Sequence, residues 1–315
     1  MTARAKEPIN RLCLLSAAIS LALPGCGTGA PRDIGKTMEH AYPGLATISL
    51  GQAVLAKLPS GVLLRSGKLV IKSRELDSEI AKAPAEVKAQ LKKNRLFILE
   101  QMATGKLLAE AAGKEAAERG LDVAGQDDNA LIRGLFDRLA AGLAVSDSEA
   151  AAFHKENSDA VGGAILAQVK DQIKQYLMQQ KTQELASGYV RRLGERIPIE
   201  VSASWIKTQA TLARDNEVDK ARSSGLPSMV DFGSAGCRPC DMMAPILEEI
   251  KKEYQGRANI IFIHVNQEQV LAARFGIQSI PVQVFFDKTG KEVSRHVGFY
   301  PKDEIIKQLK NSGVE

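Results

Sequence analysis

Two of the four cysteines in this 315-residue chain stand three positions apart, Cys237 and Cys240, with Arg238 and Pro239 between them. Thiols one helical turn apart can close a disulfide and reopen it. The flanks predict that geometry. An apolar run, Ser228-Met229-Val230-Asp231-Phe232, precedes the pair, and Met242, Met243, Ile246, Leu247 and Ile250 follow at steps of three and four. Strand, short loop, cysteine pair and helix would place Cys237 at a helix N-terminus. Unpaired backbone N–H groups and the positive dipole end stabilise a thiolate there, and the thiolate is the nucleophilic form. Arg238 favours that thiolate, Asp241 opposes it, and solvent screening limits both. A permanently closed structural bridge is the plain alternative, but a loop this short gains little unfolded-state entropy. The four histidines have no ligand spacing, so no metal is expected.

The stretch resembles the thioredoxin family, and the resemblance continues downstream. Val230-Asp231-Phe232 matches the strand before the motif, with Asp231 at the family's buried acid. Pro245 stands where the family kinks its active-site helix. Ile280-Pro281 precedes a second strand, 282–286, as the family's cis-proline does. Asp287-Lys288-Thr289-Gly290 reads as a hairpin turn, and Gly298 falls at the family's late glycine.

The resemblance covers about the last 100 residues. It implies that Cys237 attacks a partner disulfide, that Cys240 resolves the mixed disulfide, and that Asp231 accepts the proton of Cys240. A carboxylate in an apolar strand has its pKa raised by desolvation, as that role needs. It also implies that Ile280, Pro281 and Arg238 meet the substrate, and that the disulfide itself is the redox group, with no separate cofactor. Two departures stand out. Gly233 and Gly236 occupy positions where relatives carry tryptophans, which predicts a less covered sulfur side and a broad range of protein clients. Asp241 replaces a basic residue. Pro239 before Cys240 and Ile280 before Pro281 resemble reducing members more than oxidants, so a reductase or isomerase is expected.

The N-terminus reads as an address. Arg4, Lys6 and Arg11 precede an apolar run from Leu12 to Leu23, too short to span a bilayer. It ends Leu23-Pro24-Gly25-Cys26, which resembles a bacterial lipobox. On that reading residues 1–25 are a signal peptide and Cys26 becomes the lipidated first residue. Gly27 after it resembles outer-membrane sorting. An ordinary secretory peptide or a simple anchor is the alternative. A periplasm-facing lipoprotein works in an oxidising compartment, where a catalytic pair needs a thiol electron donor or is kept oxidised. The net charge of +5 is too small and dispersed for nucleic acid.

Between address and redox motif, residues 26–45 read as a tether and 46–202 as a helical domain, leaving 203–315 for the α/β thioredoxin-like part. The expected class is therefore multidomain, an all-α domain followed by an α/β one. A β-rich or irregular lead-in ends in a strand, Leu69-Val70-Ile71. Helices are predicted from Arg74 to Lys82, from Ala85 to Arg119 with possible breaks at Gly105 and Gly113, and from Leu131 to Leu143. Ser146 and Glu149 form a capping box for the next. The longest runs from Gly163 to Arg196, with a face of Lys, Gln and Glu, and Ile199-Glu200-Val201 follows as a short strand. Residues 68–202 resemble the chaperone domain of SurA/parvulin-type envelope foldases without the prolyl-isomerase insert. That adds unfolded envelope proteins to disulfide-bearing proteins as expected partners. Two functions follow: a membrane-anchored thiol–disulfide oxidoreductase with a client-holding domain, or a holdase using its thioredoxin-like part mainly as a binding surface.

Overall fold

A computed structural model describes residues 36–156 and 164–314. The expected signal peptide, residues 1–25, and Cys26 lie outside the described residues. The first half opens with α1 (Met38–Ala41) and three short strands, β1 (Val54–Ala56), β2 (Val62–Ser66) and β3 (Leu69–Lys72). Six helices follow: α2 (Ser73–Lys82), α3 (Ala85–Lys93), α4 (Arg95–Glu118), α5 (Asp128–Ala140), α6 (Asp147–Glu156) and α7 (Leu166–Arg196). β4 (Glu200–Ser202) and α8 (Ala203–Ala213) close it. No helix among the described residues is long and apolar enough to cross a membrane.

This half is predominantly helical but not all-α. The returning chain slots β4 between β1 and β2, giving a sheet ordered β1-β4-β2-β3, with β4 parallel to β1 and antiparallel to β2. The strands at 69–71 and 199–201 were each visible in the sequence. Their membership of one sheet was not, because the pairing joins residues over 130 positions apart. Leu64, Ile71, Leu96, Leu99, Ala103 and Val201 fill the core beside it. Inside that core the buried carboxylate of Glu100 accepts the backbone N–H groups of Thr47, Ile48, Ser49 and Leu50, each at 2.9 Å. The acid thus satisfies four consecutive donors, of which those of Ser49 and Leu50 belong to buried residues and would otherwise be unpaired.

α4 runs unbroken through Gly105 and Gly113, because its buried stripe continues from Leu96 to Ala116 on both sides of each glycine. The break falls instead at Asn94, whose side chain donates back to the Gln90 carbonyl at 2.9 Å. The capping box at the start of α6 forms, with Ser146 N donating to Glu149 Oε2 at 2.8 Å and Glu149 N to Ser146 Oγ at 3.2 Å.

Both domain boundaries shift. Ile206, Ala210 and Ala213 of α8 pack into the first core, so the junction follows Ala213 rather than residue 202. Met38 and Leu45 are also buried there, so residues 36–45 are folded structure rather than tether. Apolar anchors this isolated are hard to distinguish from linker residues in a sequence.

The second half runs α9 (Glu217–Arg222), β5 (Ser228–Gly233), α10 (Arg238–Glu253), β6 (Asn259–His264), α11 (Gln269–Arg274), β7 (Val282–Phe286), β8 (Glu292–Val297) and α12 (Lys302–Asn311). Its sheet is ordered β6-β5-β7-β8; β6 is parallel to β5, while β7 is antiparallel to both β5 and β8. Side chains alternate between its two faces. Met229, Ile260 and Phe285 pack under α10 and α12, while Val230, Phe232, Ile263 and Val284 pack under α9 and α11. Contacts of Gln90 and Arg274 are among those that tie the halves together. The side-chain amide of Gln90 on α3 donates to the Gln267 carbonyl at 2.6 Å, and its oxygen accepts Val270 N at 3.0 Å, engaging the start of α11. Buried Arg274 bonds Asp219 Oδ2 at 2.6 Å and the Ala213 carbonyl at 3.0 Å, locking α11 and α9 to the end of α8.

Candidate active site

Strand β5 ends at Gly233, and a turn through Ser234, Ala235 and Gly236 delivers the chain to α10. Gly236 has φ +79°, a conformation that disfavours side chains, so a tryptophan there would be strained. Cys237 is the N-cap of α10, and Asp241 N donates to its carbonyl at 2.9 Å to close the first turn. Pro239 sits in that first turn, where its missing N–H has no helical partner to lose. Cys240 begins the buried stripe that continues through Met243, Leu247 and Ile250. The pair is joined as a disulfide, with Cα atoms 5.2 Å apart. Its two sulfurs differ: Cys237 is half-buried at the rim, whereas Cys240 is 4% exposed.

The rim of Cys237 faces the loop before β7. Its Sγ lies 3.9 Å from the Ile280 carbonyl oxygen, and the Ile280–Pro281 peptide bond is cis. Gly298 N donates to the Pro281 carbonyl at 2.8 Å and holds the loop against the end of β8. The fold thus brings Cys237, Cys240, Ile280 and Pro281 together. Arg238 is exposed beside them at the helix start.

Asp231 is fully buried on β5. Its Oδ1 accepts the Gln283 amide at 2.7 Å, and its Oδ2 has no partner. Burial raises the carboxyl to about 6, with the Gln283 hydrogen bond pulling the other way. Asp231 and Gly233 are two apart on a strand, so they face the same side. A Cβ on Gly233 would stand 3.4 Å from Cys240 Sγ, so this is the face that carries the buried cysteine.

Two residues of this neighbourhood escaped the sequence reading. Gln283 stands opposite Asp231 on β7, and the visible signal was a lone amide in the otherwise apolar Val282–Phe286. Phe262 stands opposite Asp231 on the other side, on edge strand β6. Its Cε2 would meet a Gly233 Cβ at 2.9 Å, closer than real Cβ contacts come. The room at Gly233 is therefore taken by an aromatic ring from another strand, a neighbour that the expectation of a less covered sulfur side did not include. No sequence signal links positions so far apart. Among the described residues no cluster of three or more His, Cys, Asp or Glu could hold a metal.

Residues 214–313 match the family described as thioredoxin-like domain, beginning where α8 ends. The thioredoxin of Staphylococcus saprophyticus is 39% identical over 95 residues, 30% of this chain and 89% of the relative. That of Staphylococcus aureus is 38% identical over the same length and shares. Among solved structures, a mutant thioredoxin from Halobacterium salinarum is 28% identical, covers 30% of this chain and 82% of its own, and has a TM-score of 0.28.

Proposed function

The chain belongs to the thioredoxin family through residues 214–313, and on that premise we propose that it is a thiol–disulfide oxidoreductase acting on protein disulfides, as reductase or isomerase. The observation that carries this reading is the unequal pair: a rim sulfur at the N-terminus of α10 beside the Ile280 carbonyl, and a buried one on the face of the buried acid Asp231.

In the reducing direction, a Cys237 thiolate attacks one sulfur of a client disulfide. A mixed disulfide forms and one client thiolate leaves. Cys240 gives up its proton, with Asp231 as acceptor, and attacks Cys237 Sγ. The second client thiolate leaves and the Cys237–Cys240 bond is restored. Two electrons have passed to the client, and an envelope dithiol must return them. The Ile280 backbone offers a client strand a hydrogen-bonding edge next to the sulfurs, and Arg238 offers charge.

The Leu-x-Gly-Cys ending supports lipidation at Cys26 and a periplasm-facing position, with the outer membrane favoured by Gly27. Residues 36–213, with a core of their own, would hold unfolded clients, in keeping with the chaperone-like pattern of the sequence. That independent core also supports the holdase alternative. Cys237→Ser separates the two, abolishing disulfide chemistry and sparing holding. The decisive measurement is the reduction potential of the pair. A value near roughly −270 mV supports a reductase, and one near roughly −120 mV makes the protein an oxidant. A pair that exchanges with no protein disulfide overturns the enzymatic reading.

A further inference from the structure

An open cleft of about 770 Å³ lies between α7 and the loop that leads into Ile280–Pro281. Gln175, Met178, Gln179, Thr182 and Gln183 line one wall. Their spacing of three and four puts them on a single face of α7. Gln278 lines the other wall. It stands two residues before Ile280, a reach of roughly 7 Å at most, and the Ile280 carbonyl is 3.9 Å from Cys237 Sγ. One wall of the cleft therefore belongs to the same loop that faces the rim of the redox pair.

Its chemistry is specific in kind. The glutamine amides both donate and accept, as the N–H and C=O groups of an extended chain require, and they do so whatever the side-chain sequence. Met178 adapts to apolar side chains of varied shape. No carboxylate lines the cleft, and Lys174 is its one charged residue. A small anion or nucleotide would call for convergent charge in an enclosed pocket, which this cleft does not offer. α7 also keeps this face out of the apolar packing, sending Ile173 and Val190 inward instead.

We propose that the cleft binds an extended, unfolded polypeptide segment of the client, next to the disulfide presented to Cys237. α7 and Gln278 would hold the chain while the cysteines exchange. The proposal rests on the oxidoreductase reading above and gives that enzyme its substrate class: unfolded chains rather than folded proteins or small disulfides.

The test uses the full-length protein with Met178→Glu and Gln183→Glu on one wall, and separately Gln278→Glu on the other. The first readout is binding of a fluorescent, cysteine-free unfolded peptide, which needs no redox chemistry. Kd should rise roughly tenfold in each variant. The second is the ratio of kcat/KM for an unfolded disulfide-bearing protein to that for a small aromatic disulfide, which should fall by a similar factor. Unchanged peptide Kd in both walls' variants overturns the proposal, as does an unchanged ratio. A wild type that binds peptide at the cleft yet reduces neither substrate would overturn the redox reading and leave the cleft assignment standing on binding alone.

Discussion

Gln283 donates its side-chain amide to Asp231 Oδ1 at 2.7 Å, across a strand pair in which the two residues stand directly opposite. The bond partly offsets a burial that leaves Oδ2 without a partner and the carboxyl at about 6, above its ordinary 3.8. The folded protein thus holds this proton more tightly than the unfolded chain does. The charge-linked part of the cost of burying the acid is absent below about pH 3.8, grows as pH rises to about 6, and persists in full above. Asp231→Asn should therefore stabilise the protein at pH 8 by about 1–3 kcal/mol and have little effect at pH 4. The same substitution should slow resolution of mixed disulfides and remove an inflection near pH 6 from its pH profile. Urea unfolding midpoints at the two pH values check the first half. Equal midpoints for the two proteins at pH 8 would mean that the buried carboxylate is not under desolvation stress.

What the sequence revealed was what lies close along the chain. Cys237, Cys240 and the acid six residues before the pair fall within one strand–loop–helix unit, and Pro281 announces itself before an apolar strand. What it concealed depends on strand pairing. β4 completes a sheet with β1 and β2 from the other end of the domain. Gln283 and Phe262 reach Asp231 only because β7 and β6 flank β5. α8 illustrates a third limit: Ile206, Ala210 and Ala213 recur at helical spacing, and such spacing does not say which core the helix packs against.

The two sulfurs should behave unequally after reduction. Cys237 at the helix N-cap should alkylate with a pKa well below the reference of about 8.5, while Cys240, 4% exposed, should react far more slowly. Cys240→Ser should trap mixed disulfides through Cys237, and Cys237→Ser should trap almost none. Equal alkylation rates with no trapped partner in either variant would mean that the pair is not a catalytic couple.

Lipidation at Cys26 is open to direct measurement. Wild-type protein should carry acyl mass on an N-terminal Cys26 and fractionate with membrane, whereas Cys26→Ser should move to the soluble envelope fraction. A wild type without acyl mass, and a variant that still fractionates with membrane, would point to a different anchor.

Phe262 and Gly233 should be coupled in stability and in reactivity. The ring is 45% exposed, unusual for a phenylalanine, yet it claims the space where a Gly233 Cβ would stand. That same point is 3.4 Å from Cys240 Sγ, so the ring borders the room beside the resolving sulfur. Gly233→Ala should destabilise by about 1–3 kcal/mol, because its methyl group meets Cε2 and the ring must shift. Adding Phe262→Ala should recover much of that loss, since the alanine then enters vacated space. A double-mutant cycle reads the coupling directly, and neighbours in contact give roughly 0.5–3 kcal/mol. Phe262→Ala alone should also speed alkylation of Cys240 in the reduced protein several-fold while leaving Cys237 nearly unchanged. Strictly additive substitutions, with no change in Cys240 reactivity, would show that the ring does not guard the sulfur and that Gly233 is glycine for another reason.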